Sequence, residues 1–420
     1  MLNHSQLLIQ TEKLLSTLVS FESVPETDGT QILDWVSGYL KDYGLHVYRF
    51  PFPPAGGQLK GDKNANAPAN LFTTIGPHQD GGVCLSGHLD VVPAAAENWT
   101  YPPFQLTAEP LFAPGPSSAS QSSEGQSSSN RSSTCRRLYG RGTTDMKGFI
   151  ALVLAMVPEW LQQQRRRPIH LAFTLDEESG CRGAPFLIEK LGDKAPRPEA
   201  VIVGEPTRLI PVIGHKGGTA CSTVVRGVPA HSSSPAEGAN AIYIANDVID
   251  FLRNKAETLS RSNSQDRRFS PSHSTLSVGT IQGGTARNII PEECRIVWEI
   301  RNLPGETSRQ LLQELETYVQ STVLSRYRPR FTEVNVETSV TAEYPPLQPD
   351  SSSAALQYIR KAGCEAEAKC VTFGTEAGHY QSAGIPAVVW GPGDIAQAHR
   401  ADEYIDSHAL EAYLGYLSRL

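Results

Sequence analysis

An apolar run that ends abruptly in three acids constrains this chain more than any other feature. Residues 171–175 are apolar or β-branched, and Asp176, Glu177 and Glu178 follow directly. Such a run is typical of a strand buried in a parallel sheet. Charges at its end are costly unless a metal, a cation or a proton offsets them, and open α/β sheets bind ligands at this edge. The segment therefore predicts either a functional site or an acidic helix start stabilised by the helix dipole.

Length and composition narrow the class of protein. The 420 residues exceed one simple core, which favours two domains. A net charge of −7 gives no basic surface for nucleic acid, and no run of eighteen apolar residues predicts a membrane span. The N-terminal residues lack the pattern of a signal peptide, and the seven cysteines are scattered without a Cys-x-x-Cys pair. We therefore expect reduced thiols in a cytoplasmic protein.

The order of helical and strand patterns predicts an α/β fold with a mainly parallel sheet. Residues 214–341 instead follow the order strand–helix–strand–strand–helix–strand, which is typical of a ferredoxin-like domain. We expect a catalytic domain in two segments, 1–213 and 342–420, with a smaller domain at 214–341 inserted between them. The predicted strands lie at 45–50, 70–75, 82–87, 169–175, 200–203, 218–226, 274–282, 293–301, 331–340, 368–373 and 386–390.

A serine-rich segment interrupts the first domain. Residues 117–133 contain ten serines and almost no hydrophobic side chains, so they cannot bury enough apolar surface to offset the entropy of ordering. We predict a disordered insertion over about 114–136 that loops away from the site. A phosphorylated or partner-binding segment is the alternative.

Four further segments place metal-ligand side chains beside apolar runs or glycine-rich turns. His88 follows the strand at 82–87, and Asp90 is close enough to orient its ring. Asp145 opens a helix after a glycine-rich stretch, Glu205 follows the strand at 200–203, and His399 lies in a polar loop near the chain end. Each has an ordinary alternative when taken alone, since Asp145 could cap a helix and a lone histidine is more often structural.

Taken together, these strand ends supply two histidines and three or more acids. One shared carboxylate, with one histidine and one further acid for each ion, would hold two metals about 3.5–4 Å apart. Mixed carboxylate and imidazole ligands suit Zn, Co or Mn. The sequence therefore predicts a two-metal site at the edge of the sheet.

The residues around these candidate ligands form five signature motifs. They are Ser-Gly-His88-Leu-Asp90-Val-Val-Pro, Tyr-Gly-Arg-Gly-Thr-Thr-Asp145-Met-Lys-Gly, Asp176-Glu-Glu178, Gly204-Glu205-Pro-Thr and Gly-Pro-Gly-Asp-Ile-Ala-Gln-Ala-His399. In these motifs the chain resembles the M20 family of metallo-amidohydrolases and peptidases. Three stretches make it most similar to the acetylornithine deacetylase branch: Gly214-His-Lys-Gly-Gly218, Phe373-Gly-Thr-Glu376-Ala-Gly and Gln397-Ala-His-Arg-Ala-Asp-Glu-Tyr404. The resemblance covers nearly the whole chain except the serine-rich segment.

The resemblance implies the ligands of each metal. His88, Asp145 and Glu205 would hold one ion, and Asp145, Glu178 and His399 would hold the other. It implies two Zn²⁺ or Co²⁺ ions in each subunit.

The resemblance also implies roles for the neighbouring acids. Glu177 would be the general base, and Asp90 would orient the first histidine ligand. Asp176 matches no catalytic position of the family, so we expect it to cap a helix.

The inserted domain carries further candidates. Arg226-Gly-Val-Pro-Ala-His231 resembles the lid motif of the family, whose histidine stabilises the oxyanion in the partner subunit, which implies a homodimer through this lid. Without the resemblance His231 would be a surface-loop histidine. Gly283-Gly-Thr-Ala-Arg287-Asn288 resembles a lid segment whose asparagine approaches the substrate, and Arg287 could pair with a substrate carboxylate. Glu376 of the branch motif is a third substrate-binding candidate.

The resemblance implies hydrolysis of an N-acyl amide, with N-acetyl-L-ornithine giving L-ornithine and acetate in arginine biosynthesis. A succinyl-diaminopimelate desuccinylase, an aminoacylase or a dipeptidase would use the same metals. An inactive dimeric protein that binds metal or amino acids is the alternative from another class. Glu177 argues against it, because holding a metal does not require a general base.

Overall fold

The computed structural model describes residues 3–25, 29–54, 67–111 and 135–420. The insertion predicted over about 114–136 lies outside the described residues up to position 134, and Arg136 already begins a strand. Within these ranges, no helix combines the length and apolar character needed to cross a membrane.

The chain forms three successive groups of elements. The first group is α1 (His4–Val19), α2 (Thr30–Asp42), β1 (Val47–Pro51), β2 (Ala69–Ile75), β3 (Val83–His88), β4 (Thr107–Pro110), β5 (Arg136–Tyr139), α3 (Lys147–Leu161), β6 (Ile169–Thr174), α4 (Ala184–Ile188), β7 (Ala200–Pro206) and β8 (Val212–His215). The second is β9 (Gly218–Arg226), α5 (Ala241–Ser260), β10 (Thr275–Gly283), β11 (Glu293–Arg301), α6 (Ser308–Tyr318), α7 (Ser325–Tyr327) and β12 (Asn335–Tyr344). The third is α8 (Ala354–Lys361), β13 (Lys369–Val371), α9 (Ala377–Ser382), β14 (Ala387–Gly391), β15 (Tyr404–Asp406) and α10 (Ser407–Leu417).

The large sheet has eight strands in the order β1-β2-β6-β3-β7-β14-β8-β13. Its centre, β6-β3-β7-β14, is parallel, as is the pair β8-β13, whereas β1-β2, β2-β6 and β14-β8 are antiparallel. The predicted mainly parallel sheet is confirmed. Because β6, β3 and β7 are parallel neighbours, their carboxyl ends lie side by side at one edge.

Helix α3 packs tightly against this edge. Every residue from Lys147 to Val157 is buried, so the helix has no solvent-facing stripe over this stretch. Two glycines make the approach close enough: a Cβ on Gly204 would lie 2.2 Å from the Phe149 ring, and one on Gly87 would lie 2.7 Å from Met146 Cε. The start of α3 therefore sits directly over the ends of β3 and β7.

The small sheet is antiparallel, in the order β10-β11-β9-β12, and its elements follow the order predicted for a ferredoxin-like domain. Alternate residues of β11, such as Trp298 and Ile300, are buried in a core shared with α5 and α6. The opposite face of the strand is open. The sheet runs from Gly218 to Tyr344, whereas His215 still belongs to the large sheet. The proposed domain limits of 214 and 341 therefore stay a prediction.

Several short strands were not predicted. Strands β4, β5 and β15 form a separate three-stranded sheet, and β8 joins the large one. Each has only three or four residues, too few for a clear alternation of apolar and polar side chains. The strand predicted at 331–340 lies at Asn335–Tyr344, because hydrogen-bonded turns occupy residues 327–334.

Candidate metal centre

The five predicted ligands come together at the carboxyl edge of the large sheet. His88 Nε2 lies 3.0 Å from Asp145 Oδ1 and 3.6 Å from Glu205 Oε1. His399 Nε2 lies 3.3 Å from Asp145 Oδ2 and 3.0 Å from Glu178 Oε2. The two histidines thus face opposite oxygens of one carboxylate, which is the arrangement that a shared ligand between two metals requires.

Glu177 lies inside this cluster. Ligand atoms of His88, Glu177 and Glu205 all fall within 4.8 Å of one another, as do those of His88, Asp145 and Glu178. Burial raises the pKa of Glu177 to about 8. A carboxyl group with that pKa can both accept and release a proton near neutral pH.

Asp90 positions the cluster through two different groups. Its main-chain carbonyl accepts a hydrogen bond from His88 Nδ1 at 2.9 Å, whereas its carboxylate lies 3.8 Å from that nitrogen. The carboxylate instead accepts the main-chain N–H groups of Glu177 at 3.2 Å and Glu178 at 3.0 Å. Because a carbonyl only accepts, Nδ1 of a neutral His88 carries the hydrogen, and Nε2 presents a lone pair to the cluster.

The electrostatics of the cluster favour a cation. Burial, followed by the charge of Asp145, raises the pKa of both Glu205 and Glu178. Hydrogen bonds to Asp145 and Glu178 raise the pKa of His399 to about 10. Buried carboxylates that gather around two imidazoles need protons or metal ions to offset their charge. The residues present therefore fit a pair of divalent cations.

A buried glutamate that sequence reasoning missed holds the loop in front of α3. Glu403 Oε2 accepts from Arg141 Nη1 at 2.8 Å and from the Gly142 N–H at 2.9 Å. Its Oε1 accepts the N–H groups of Thr144 at 2.9 Å and Asp145 at 3.0 Å. Four hydrogen bonds to one carboxylate thus fix the backbone that carries the shared ligand. The signal in the sequence was an acid with no assigned role, four residues after a predicted ligand.

Two capping roles considered from the sequence are wrong. Helix α3 begins after Met146, and no side chain caps it, so Asp145 is not its N-cap. Asp176 does not cap α4, whose N-cap is Gly183 without a side-chain hydrogen bond. Its carboxylate instead lies 3.6 Å from Arg182 Nη1, in an ion pair beside the metal centre.

The sequence of residues 84–420 matches the model of peptidase family M20/M25/M40. The chain belongs to this family. It is 34% identical to an acetylornithine deacetylase from Myxococcus xanthus over 394 residues, which are 93% of this chain and 91% of the relative. This confirms the resemblance to the M20 family and to its acetylornithine deacetylase branch. The chain is therefore a metal-dependent amidohydrolase.

Two solved structures share the fold of this M20 chain. The dipeptidase Dug1p from Saccharomyces cerevisiae gives a TM-score of 0.71 at 16% identity, over 99% of this chain and 98% of that one. The YXEP protein of Bacillus subtilis, a dinuclear metal binding peptidase from the M20 family, gives 0.60 at 15% identity, over 99% and 97%. The combination of a mixed large sheet with a separate antiparallel sheet is thus shared with these two proteins.

A cavity of about 610 Å³ opens over the metal centre of this M20 enzyme. Four of the five predicted ligands line one wall together with Glu177, namely Asp145, Glu178, Glu205 and His399. The small domain supplies the other wall, which carries Glu299, Arg301 and Tyr344. These three were not singled out from the sequence, where two charged residues at alternate positions of a strand indicate only a shared face.

In the described part of the chain, the residues predicted in the small domain do not line the cavity over the metal centre. His231, Arg287 and Asn288 are all exposed, and none of them is among the described residues that line the cavity over the metal centre. His231 Nδ1 shares a hydrogen bond of 2.7 Å with Ser233 Oγ. Arg287 lines a separate groove of the small domain. Their predicted roles at the active site stay predictions.

Glu376 lies beneath the centre and does not line the cavity. Its carboxylate is buried and accepts hydrogen bonds from Thr174 and, at 3.3 Å, from Ser86 Oγ. Burial raises the pKa of Glu376 to about 7. Its observed partners belong to strands β6 and β3, so its predicted contact with substrate stays untested.

Proposed function

We propose that this enzyme hydrolyses the acyl amide of an N-acyl amino acid, converting N-acetyl-L-ornithine to L-ornithine and acetate in arginine biosynthesis. The observation that carries the proposal is the pair of histidines on opposite oxygens of Asp145, with Glu177 beside them. The deacetylase relative from Myxococcus xanthus supports the choice of substrate.

Two divalent cations, Zn²⁺ or Co²⁺, would occupy the centre. His88, Asp145 and Glu205 would hold one, and Asp145, Glu178 and His399 the other. When bound, such a pair supplies Lewis acidity, which polarises an acyl carbonyl and makes water a stronger acid.

Glu177 moves the proton in this proposal. Its Oε1 accepts the thiol of Cys181 at 3.1 Å, and its carboxylate would take a proton from the attacking water. Glu177 then passes this proton to the departing amine. Burial raises the pKa of Glu177 above that of an exposed carboxyl, which strengthens it as a base.

We also propose a cytoplasmic homodimer formed through the small domain. Large apolar side chains remain exposed there, including Tyr243 at 69%, Ile281 at 50% and Ile289 at 45%. In such a dimer His231 of the partner subunit would donate to the developing oxyanion, a contact worth about 3–4 kcal/mol of transition-state stabilisation.

A substrate panel combined with one variant tests the function. Wild-type enzyme should hydrolyse N-acetylornithine in preference to succinyl-diaminopimelate, N-acetylmethionine and a dipeptide. Glu177→Gln should keep its bound metal and lose hydrolysis by orders of magnitude. Asp176→Asn is the matched control, since asparagine tolerates the positive φ of 60° at that position and the side chain faces Arg182. Preference for another panel member would replace the substrate, and near-normal turnover of Glu177→Gln would exclude it as the base.

A further inference from the structure

The wall of the cavity opposite the metal centre carries one opposite-charge pair. Glu299 and Arg301 lie two residues apart on β11, so both project from the same face of the strand. The residues between and before them, Ile300 and Trp298, are buried against the helices of the small domain. The charged pair therefore faces the cavity and not the domain core.

Arg301 does not need Glu299 to stay in place. Its guanidinium donates to the hydroxyl of Tyr344, and its Cζ lies 5.7 Å from the centre of that ring. The Tyr344 ring is fixed in turn by two glycines: a Cβ would lie 2.3 Å from it at Gly218 and 1.9 Å at Gly374. Arg301 is thus anchored to a tightly packed ring.

Glu299 is the more available partner of the pair. Its carboxylate lies 3.0 Å from Arg301 Nη2, 44% of its side chain is exposed, and the residue lines the cavity. An ion pair this exposed adds little to the stability of the fold. Stabilising Arg301 therefore does not account for the presence of Glu299. Within the described lining, Glu299 is the one acid that the small domain contributes.

We propose that Glu299 determines specificity by binding the side-chain ammonium group of the substrate. An N-acyl amino acid with a cationic side chain would place its amide at the metal centre and its ammonium at Glu299. The carboxylate also offsets the charge of Arg301, 3.0 Å away, which would otherwise favour a substrate whose side chain carries an acid. This inference rests on the proposed function and narrows it to substrates with a basic side chain.

The test compares three substrates of similar size in the metal-loaded enzyme: N-acetylornithine, its uncharged isostere N-acetylnorleucine, and N-acetylglutamate. Glu299→Gln should lower the kcat/KM ratio of N-acetylornithine to N-acetylnorleucine at least about tenfold, because a charge-assisted hydrogen bond is lost. Glu299→Lys should reverse the order of N-acetylornithine and N-acetylglutamate.

Glu293→Gln is the matched control, since Glu293 lies on the same face of β11 and outside the described cavity lining. Its substrate ratios should equal those of wild type. A second readout is competitive inhibition by L-ornithine, which should weaken in Glu299→Gln while inhibition by L-norleucine stays unchanged.

The outcomes separate this inference from the proposed function. Wild-type preference alone tests the substrate, and a wild-type enzyme that favours N-acetylnorleucine overturns both. If wild type prefers N-acetylornithine and Glu299→Gln keeps the same ratios and the same inhibition by L-ornithine, the function stands and the role of Glu299 is wrong.

Discussion

The edge of the large sheet and the loops of the small domain differ in how completely one chain assembles them. At the sheet edge, His88, Asp145 and His399 already lie within 3.0–3.3 Å of a partner ligand atom. In the small domain, His231 and Arg287 are exposed and line no part of the cavity described over the metal centre. The metal centre is thus preorganised within one chain, whereas the predicted lid contacts need a partner or a domain movement.

Support from neighbouring groups explains this difference. His88, Glu178 and Glu205 lie at or just after the ends of buried parallel strands. Asp90 accepts the main-chain N–H groups of Glu177 and Glu178, and Glu403 accepts four hydrogen bonds from the loop that carries Asp145. His231 lies in an exposed loop whose nearest hydrogen-bond partner is the neighbouring Ser233. Rigidly held ligands suit metal binding, whereas an exposed loop is free to close over a bound substrate.

Among the residues of the small domain, the largest effect should come from His231, which we propose acts in the partner subunit. His231→Ala should keep its metal and lose about 10²–10³-fold in kcat, since one oxyanion donor is removed. Asp145→Asn should be inactive for a different reason, because the shared ligand is damaged. Co-expression of the two variants should yield mixed dimers with activity well above either variant alone.

Mixed dimers decide which subunit supplies the histidine. In a mixed dimer, the intact centre of the His231→Ala subunit would receive His231 from the Asp145→Asn subunit. Kinetics of the tag-purified mixed dimer measure this recovery. No recovery would mean that His231 acts within its own chain or not at all.

A smaller effect should follow from loosening the loop before α3. Glu403→Gln replaces an acceptor oxygen with an amide that cannot accept the same N–H groups, so metal affinity should fall by about 10–100-fold. Titration calorimetry of apoprotein with zinc would measure it. Asp402→Asn is the control, because Asp402 accepts from Thr100 and not from the loop at 141–145. Unchanged affinity in Glu403→Gln would remove its positioning role.

The smallest effect concerns the stability of the large sheet in acid. Burial lowers the pKa of His215 and of His379 to about 4, so the folded protein keeps them neutral while the unfolded chain binds protons. Their contribution to the free energy of unfolding is present above about pH 6.5 and is lost as the pH falls towards 4. Between pH 7 and 4.5 the free energy of unfolding should fall by on the order of 1–2 kcal/mol more in wild type than in His379→Gln. Urea titrations at the two pH values measure this difference. An unchanged pH dependence would contradict the burial of a neutral His379.

The sequence identified residues that the structure brings together at one edge of the sheet, because several of them follow a local pattern. An apolar strand ending in His88 or Glu205 is visible in a few residues, and several segments of this kind in one α/β chain indicate one edge of one sheet. Glu403 was missed because its partners lie about 260 positions away in the chain, so only the folded loop shows them. Arg301 was missed for the same reason, since the face of β11 that meets the metal centre depends on domain packing. The lid residues were predicted from the resemblance, and one chain does not bring them to the site.

The shared-ligand centre is tested most directly by anomalous diffraction from crystals grown with zinc. Two anomalous peaks about 3.5–4 Å apart are expected, with one oxygen of Asp145 on each. His88 should contact one ion and His399 the other. A single ion, or two ions with Asp145 bound to only one of them, would contradict the two-metal assignment.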